Sequence, residues 1–548
     1  MFYQEIDISK QYVNTCVIFD IYTLCERSSN YKTKGIEDVT VIGGGVAGTY
    51  AAYRLRNKNL NIGLYEMSDR IGGRYFTQTL KKIPDVNIEL GAMRYKPKDH
   101  VRLDNLIKEL RLPIDDFELK QGIPSQTRYY LRGQQIPFPE LGKPGFLPYN
   151  VKPSERLDRD NLKYKIFKEN TNTTDNSEPL YTLATNDDQP LYKQSFQQVV
   201  SKSASNEAYL YLKDSNAFHE DIDDAIGVFI RKDKPIQKPF PDFGLPDVKT
   251  VVSGFSSIAE TMAKKFLHES KSHSLYMNHR LVEIKPIYGG RIKLTFRKTV
   301  TRNGVTTDTK ITKTVISKNV ILCIPKEPLM RIRWKAVQNA MFKREVLDSS
   351  RPVLASKIFL GYPFEWWKAI RANFSHAITD LTIRQTYDWK VSKTSGRAVL
   401  LASYTDESGT VFWDRVRGQG KVVGGRRYIT DVTDEVIKHV HLSLAELYQV
   451  DVRKIPYPID GAMFIFNSYP FNGAWYNWVP GYKIEEVRFS MVKPSCSDNI
   501  FIASGSYTSH RLRGWSEGSL EAVDEVLNLF SKRGSDEEIK RRYPCRNF

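Results

Sequence analysis

The chain has 548 residues and 41% apolar content, long enough for two or three domains and apolar enough to fold as an enzyme. Its 81 basic and 63 acidic residues leave +18 at neutral pH, yet the charges are scattered and no nucleic-acid motif accompanies them, so nucleic acid is not an expected partner. No apolar run approaches the ~18 residues of a transmembrane segment, and five cysteines without CxxC spacing give no metal-site pattern.

Residues 1–35 read as a peripheral extension. Met1 to Lys10 carries two acids and the apolar stretch Val17 to Leu24 is short and broken by Asp20, so no signal peptide is visible. A buried strand is expected at Val39, Val41 and Ile42, followed at once by Gly43-x-Gly45-x-x-Gly48 and a helix with Ala47, Ala51 and Leu55 on one face. Strand, Gly-rich turn and helix in that order form a dinucleotide-binding crossover whose helix N-terminus faces phosphate. A second strand, Asn61 to Tyr65, ends in Glu66, placed to accept from a ribose hydroxyl. Arg70-Ile-Gly72-Gly73-Arg74 then adds a Gly pair flanked by two guanidinium groups, whose forked donors suit phosphate oxygens or, equally, an ordinary solvated turn.

Helical patterns are expected around 193–204 and 220–231, with a loop at Asn170 to Glu178. Beyond Gly254-Phe-Ser-Ser-Ile comes a strand at Leu281, Val282 and Ile284. A hairpin follows, with alternating Ile292, Leu294 and Phe296, a turn at Asn303-Gly304, and a return strand ending before Pro325. Cys323 in that return strand reads as a buried thiol. Lys357 lies among Leu354, Ile358 and Leu360, an apolar strand in which a lysine is costly unless paired or neutralised. His439 and His441 fall in a helical pattern and read as surface residues, and no histidine is assigned as a base.

Taken together, these segments resemble the flavin amine oxidase superfamily. Glu66-Met-Ser-Asp-Arg-Ile-Gly-Gly-Arg is similar to its flavin-binding signature and Glu89-Leu-Gly91-Ala92-Met93-Arg94-Tyr95 to the segment passing the flavin ring. Ser356-Lys357 is similar to the strand bearing its flavin-side lysine, and Asn499 to Ala503 with Gly514-Trp515-Ser-Glu517-Gly518 to its closing strand and helix. Within the superfamily the wording is nearest to L-amino-acid oxidases, including the secreted antimicrobial kind of mollusc secretions (the escapin and achacin type).

The resemblance implies an α/β fold: a Rossmann-type FAD-binding domain (36–92, 248–327 and 484–535), a mixed-sheet substrate domain (93–158 and 328–483), a helical insertion (159–247) and a tail (536–548). FAD is the implied cofactor, held at Gly43, Gly45, Ala47, Gly48, Glu66, Arg70, Gly73, Arg74, Gly91, Ala92, Met93, Arg94, Val282, Ser506, Gly514 and Trp515. An amino acid and O2 are the implied substrates. Arg94 and Tyr387 would bind the carboxylate, unless Arg94 makes a structural salt bridge and Tyr387 packs in a sheet. The Gly514 carbonyl would accept from the amine and Trp515 would wall the pocket, with Trp475 and Trp478 shaping it or packing the core. Lys357 would hold a water beside the flavin. Secretion is implied by resemblance, with Cys25 and Cys545 as a candidate disulfide and Asn172 and Asn373 as glycosylation triplets. Adhesion to anionic cell surfaces would suit the positive charge, and oligomeric state stays open.

Three departures stand out. Ser506 occupies the place of the family's glutamate, the Tyr507 to Trp515 spacing is one residue long, and Ser253 replaces a usual Gly. Two alternatives therefore stand beside an L-amino-acid oxidase: an amine or polyamine oxidase of the same fold, and a non-catalytic surface-binding protein retaining it.

Overall fold

The computed structural model describes residues 35–117, 126–171, 184–219, 247–370, 372, 374–422, 429–509, 512–531, 543 and 545–547. Strand Glu37–Ile42 is buried at five of its six positions and lies in a seven-stranded sheet. Its parallel neighbours are Ile62–Tyr65 on one side and the inner end of Val305–Leu322 on the other. His273–Tyr276 continues the sheet beyond Ile62–Tyr65, and Ile500–Ile502 pairs with Val320, Ile321 and Leu322. Three distant stretches of chain thus share one parallel core. Helices Val46–Leu55, Ser256–Glu269 and Ser516–Ser531 cover it through Ala51, Tyr53, Ile258, Met262, Leu520 and Val523.

On the other flank, Arg291–Arg302 and Val305–Leu322 form a long antiparallel hairpin. Asn303 and Gly304 turn it with φ of 52° and 78°, the left-handed pair of a type I′ turn whose twist matches the strands.

A second seven-stranded sheet runs from Asp460–Ile465 through Ala355–Tyr362, Ala398–Asp406, Gln385–Val391, His376–Thr379 and Thr127–Leu131 to Gln134–Pro137. Ala355–Tyr362 is buried along its whole length. Side chains alternate along a strand, so Ile358, Leu360 and Tyr362 join the core beneath helices Glu407–Val416 and Asp434–Tyr448, while Lys357 and Phe359 take the opposite face. Helices Arg159–Asn170, Phe196–Ser203 and Asn206–Ser215 start at side-chain caps on Asp158, Ser195 and Ser205. They bury Leu162, Ile166, Val199 and Leu212 together. Asn170 ends the first of these helices, and most of the loop expected after it, the helix expected at 220–231, Asn172 and Asn373 all lie outside the described residues.

Two expectations need correction. Cys545 is bonded to Cys496, not to Cys25, which lies outside the described residues. The C-terminal segment returns alongside 494–496, where Arg546 N–H donates to the Pro494 carbonyl and Cys496 N–H to the Arg546 carbonyl, leaving the two Cα atoms 5.0 Å apart, within disulfide reach. His441 is buried, its Nε2 3.0 Å from the Tyr362 hydroxyl; only His439 lies toward the surface, beside Glu435. Cys323 is a buried free thiol, as expected. Among the described residues no helix is long and apolar enough to cross a membrane, and no cluster could hold a metal ion.

Candidate functional site

The two sheets meet around a cavity of about 610 Å³. One end is the Gly-rich turn. Helix Val46–Leu55 has neither a side-chain cap nor an acid in its first turn, so its N-terminal N–H groups are left for an anion. A Cβ at Gly48 would stand 1.8 Å from the Gly43 carbonyl oxygen, whereas one at Gly45 would meet nothing nearer than 3.9 Å. The first glycine lets helix close on strand, and the second leaves room at the cavity wall. Glu66 lines this end with its carboxylate held in place: Oε2 accepts from Gly44 N–H at 2.6 Å, and Oε1 from the Ser68 N–H and hydroxyl.

The two arginines differ from a simple phosphate fork. Arg70 lies over the Phe76 ring and spends its guanidinium on the carbonyls of Tyr75 and Gly73, bracing the Gly72-Gly73 turn. Arg74 donates to the Ala474 carbonyl at 3.1 Å across the cavity. Burial lowers the pKa of both groups. Gly91 packs so tightly on Arg74 that a Cβ would stand 1.9 Å from its carbonyl oxygen; Ala92 lines the cavity beside it, and Met93 is buried behind. At the far strand the wall is Leu281 rather than Val282, whose carbonyl accepts from Arg333 N–H. Gly505 lines the cavity, while Ser506 is buried, its hydroxyl accepting from Lys326 N–H and its carbonyl from the Ser350 hydroxyl.

At the other end Lys357, 3% exposed, reaches the carbonyls of Glu89 (2.9 Å) and Gly91 and lies 4.7 Å from the Tyr404 ring centroid. Burial pushes its pKa down, and burial pushes that of the Glu89 carboxyl up. Gly514 and Trp515 line this end, with Trp475 3.5 Å from where a Gly514 Cβ would stand. Trp478 instead packs in the core and donates to the Thr508 carbonyl.

Arg94 and Tyr387 come together behind Lys357 and Tyr404, although neither is on the cavity wall. Arg94 Nη1 donates to the Tyr387 hydroxyl at 3.4 Å, and its charge is felt at Lys357, Tyr404 and His376. The Tyr387 proton goes to Gln385 Oε1 at 2.7 Å, so the phenol as it stands steadies the guanidinium. Two aromatic groups were missed in the sequence. Tyr404 lines the cavity beside Lys357, and Phe218 packs edge-on to both Tyr404 and Trp475, each with centroids 5.0 Å apart. Neither stands in a motif; only their meeting in space marks them. His100 is a third, its ring tilted at 47° to that of Trp515 with centroids 4.4 Å apart and held neutral by burial, its pKa down at about 4.

Residues 46–525 match the family described as flavin containing amine oxidoreductase. The chain belongs to that family. It is 30% identical to achacin from Lissachatina fulica over 90% of this chain and 93% of that protein. An L-amino-acid oxidase from Pseudechis australis is 24% identical over 93% of this chain and 89% of its own. The solved structure of a redesigned putrescine oxidase superposes with a TM-score of 0.64 at 15% identity, covering 91% of this chain and all of that one. As a flavin containing amine oxidoreductase, the protein carries FAD. Its own features fit that dinucleotide: an uncapped helix end for the pyrophosphate, a fixed carboxylate for a ribose, and a continuous cavity from there to Lys357.

Proposed function

We propose that this oxidoreductase oxidises L-amino acids to 2-oxo acids, releasing ammonia and hydrogen peroxide. The observation that carries this reading is the Arg94–Tyr387 contact, set just behind the cavity wall formed by Lys357 and Tyr404, so that a substrate carboxylate reaches the guanidinium only where that wall gives way. A guanidinium offers two parallel donors to a carboxylate, and a substrate that is only an amine has no use for them. Kinship with achacin and the Pseudechis australis L-amino-acid oxidase supports it.

FAD held in this cavity would supply the two-electron redox chemistry, with the substrate Cα–H as hydride donor and dioxygen as the terminal acceptor. The remaining work belongs to the chain. Arg94 takes the substrate carboxylate, with Tyr387 steadying it. Gly514 offers its carbonyl to the amine, and Trp475 and Trp515 confine the reacting carbon. Lys357 holds the water that hydrolyses the imino acid, its lowered pKa allowing it to release and regain a proton near neutrality. Gly45, Ala47, Glu66 and Arg74 hold the dinucleotide, while Arg70, Gly48 and Ser506 shape the turns around it.

Secretion is part of the proposal. The Cys496–Cys545 bond favours an oxidising compartment, and a charge of +18 suits adhesion to anionic cell surfaces, where released peroxide would act. The test is an absorbance spectrum with anaerobic addition of L-amino acids. A flavin band that bleaches with amino acids and returns with air, yielding peroxide, is the expected result. Bleaching by carboxylate-free amines alone would replace this reading with an amine oxidase, and an inert protein would replace it with a non-catalytic one.

A further inference from the structure

The hairpin Arg291–Arg302/Val305–Leu322 belongs to the first sheet, yet its tip reaches the turn at Ile429, a residue packed on the core of the second. The Asn303 carbonyl accepts from Ile429 N–H at 3.3 Å, and a Cβ on Gly304 would stand 2.3 Å from the Ile429 side chain. A few residues short of the turn, Thr299 N–H donates to the Asn278 carbonyl at 2.9 Å and the Thr299 hydroxyl to the Met67 carbonyl, one residue past Glu66. Arg280 pairs with Asp308 on the returning strand. The hairpin therefore bridges from the ribose end of the cavity to the Ile429 turn beside the second sheet, and Thr301, Asn303, Gly304 and Thr306 form part of the cavity wall.

Its polarity runs opposite to that of a hairpin packed on an ordinary core. Thr301 and Thr306 form a directly opposed pair with hydroxyls 2.8 Å apart, and both line the cavity. Val300 and Val305, the alternating positions, are 39% and 52% exposed. A half-buried strand normally turns apolar side chains inward and polar ones outward. Hydroxyls facing a cavity, with valines given to solvent, fit an inner face built against a polar ligand.

We propose that this tip is a third wall of the cofactor site. Thr301 and Thr306 hydrogen-bond the polar nucleotide part of the flavin dinucleotide, and the Asn303–Gly304 seat on Ile429 clamps that wall in place. The hairpin thereby sets the rate of cofactor loss. This rests on the flavin site and not on which amine is oxidised.

Two variants of the full-length holoprotein test it. Thr301→Val with Thr306→Val keeps volume and strand preference while removing both hydroxyls. Deleting Thr301, Arg302, Val305 and Thr306 keeps the Asn303-Gly304 turn and places it directly on the Val300/Thr307 pair, shortening the reach by about 7 Å. The readout is recovery of flavin fluorescence after dilution without substrate, alongside the melting temperature of the apoprotein. The expected result is FAD release faster by at least about tenfold in each variant, the loss of one or two ordinary hydrogen bonds, with the apoprotein of the double Val variant melting as the parent does. Release within about twofold of the parent in both variants would overturn the proposal, whatever the substrate proves to be. Faster release with an equal loss of apoprotein stability in the double Val variant would also overturn it, reducing the tip to a fold element.

Discussion

Lys357 Nζ and the Glu89 main-chain carbonyl are 2.9 Å apart, joining the second sheet to the segment that leads into Gly91. The Glu89 carboxylate is engaged elsewhere, accepting from Phe255 N–H and from the Thr77 hydroxyl. The lysine is therefore solvated by carbonyls rather than by an ion pair at hydrogen-bond distance, and burial sets the direction of its pKa.

Replacing Lys357 with Met removes the proton that this group can exchange. Reoxidation by O2 or imine hydrolysis should slow by about 10²-fold, the usual scale of general acid–base assistance. Parent activity should show an ionisation well below that of an ordinary lysine, because the folded site disfavours the ammonium, and the variant should lack it. Stopped-flow reoxidation across a pH series reads both. A Met variant with the parent's rate and profile would remove Lys357 from the chemistry.

Arg94→Lys keeps the charge and loses the fork. For amino acids kcat/KM should fall by about 10²-fold, mostly through KM, with turnover of any carboxylate-free amine unaffected. Tyr387→Phe should cost less, about fivefold, because the Tyr387 hydroxyl already donates to Gln385 and reaches Arg94 only as an acceptor. Steady-state kinetics on matched acid and amine substrates checks both; equal losses on the two would show that Arg94 has no carboxylate role.

Features written in adjacent residues were legible in the sequence. The Gly43 to Glu66 crossover, the Asn303-Gly304 hairpin and the helix expected around 193–204, found at Phe196–Ser203, rest on short-range rules of backbone conformation and periodicity. Features that depend on distant meetings were not. Tyr404 and Phe218 touch only because the second sheet and the helical segment converge. The four cysteines other than Cys323 allow several pairings on sequence alone, and only the return of the C-terminal segment selects Cys496. The surface reading of His441 failed because periodicity identifies a helix but not the partner, Tyr362, that accommodates an imidazole in the core. Arg70 was read by residue type alone, and its diversion to backbone carbonyls depends on the fold of the turn.

Stability should fall in mild acid. Burial holds His100, His279 and His441 down at about 4, against an ordinary imidazole near 6.5. Between those values the unfolded chain binds protons that the folded chain refuses, so stability is intact above about pH 6.5 and is lost as pH falls toward 4. The melting temperature should therefore drop by about 5 °C from pH 7 to pH 5, three such groups acting against the unfolding entropy of a 548-residue chain. His441→Gln retains a partner for the Tyr362 hydroxyl, and should flatten the dependence by about one proton, 1.4 kcal/mol per pH unit in that window. An unchanged slope in urea midpoints measured from pH 7 to pH 5 would mean that His441 protonates as readily folded as unfolded.

Cys545→Ser should release the C-terminal segment from residues 494–496. The bond closes a loop across a sequence separation of 49, for which chain entropy gives about 4 kcal/mol as an upper value, with 2–4 kcal/mol typical of such bonds. The tail also carries the Arg546–Glu345 pair, 2.7 Å apart, but exposed pairs contribute little, so the covalent bond dominates. The effect should stay local. Tyr543 packs against Phe489 with centroids 5.7 Å apart, in the same core cluster as Val492 and away from the cavity wall, so flavin content should hold while the urea midpoint falls. Peptide mapping without reduction should recover Cys496 and Cys545 in one linked fragment. Finding Cys545 linked to Cys25 instead would restore the pairing first expected from the sequence and require the C-terminal segment to leave its place beside Pro494.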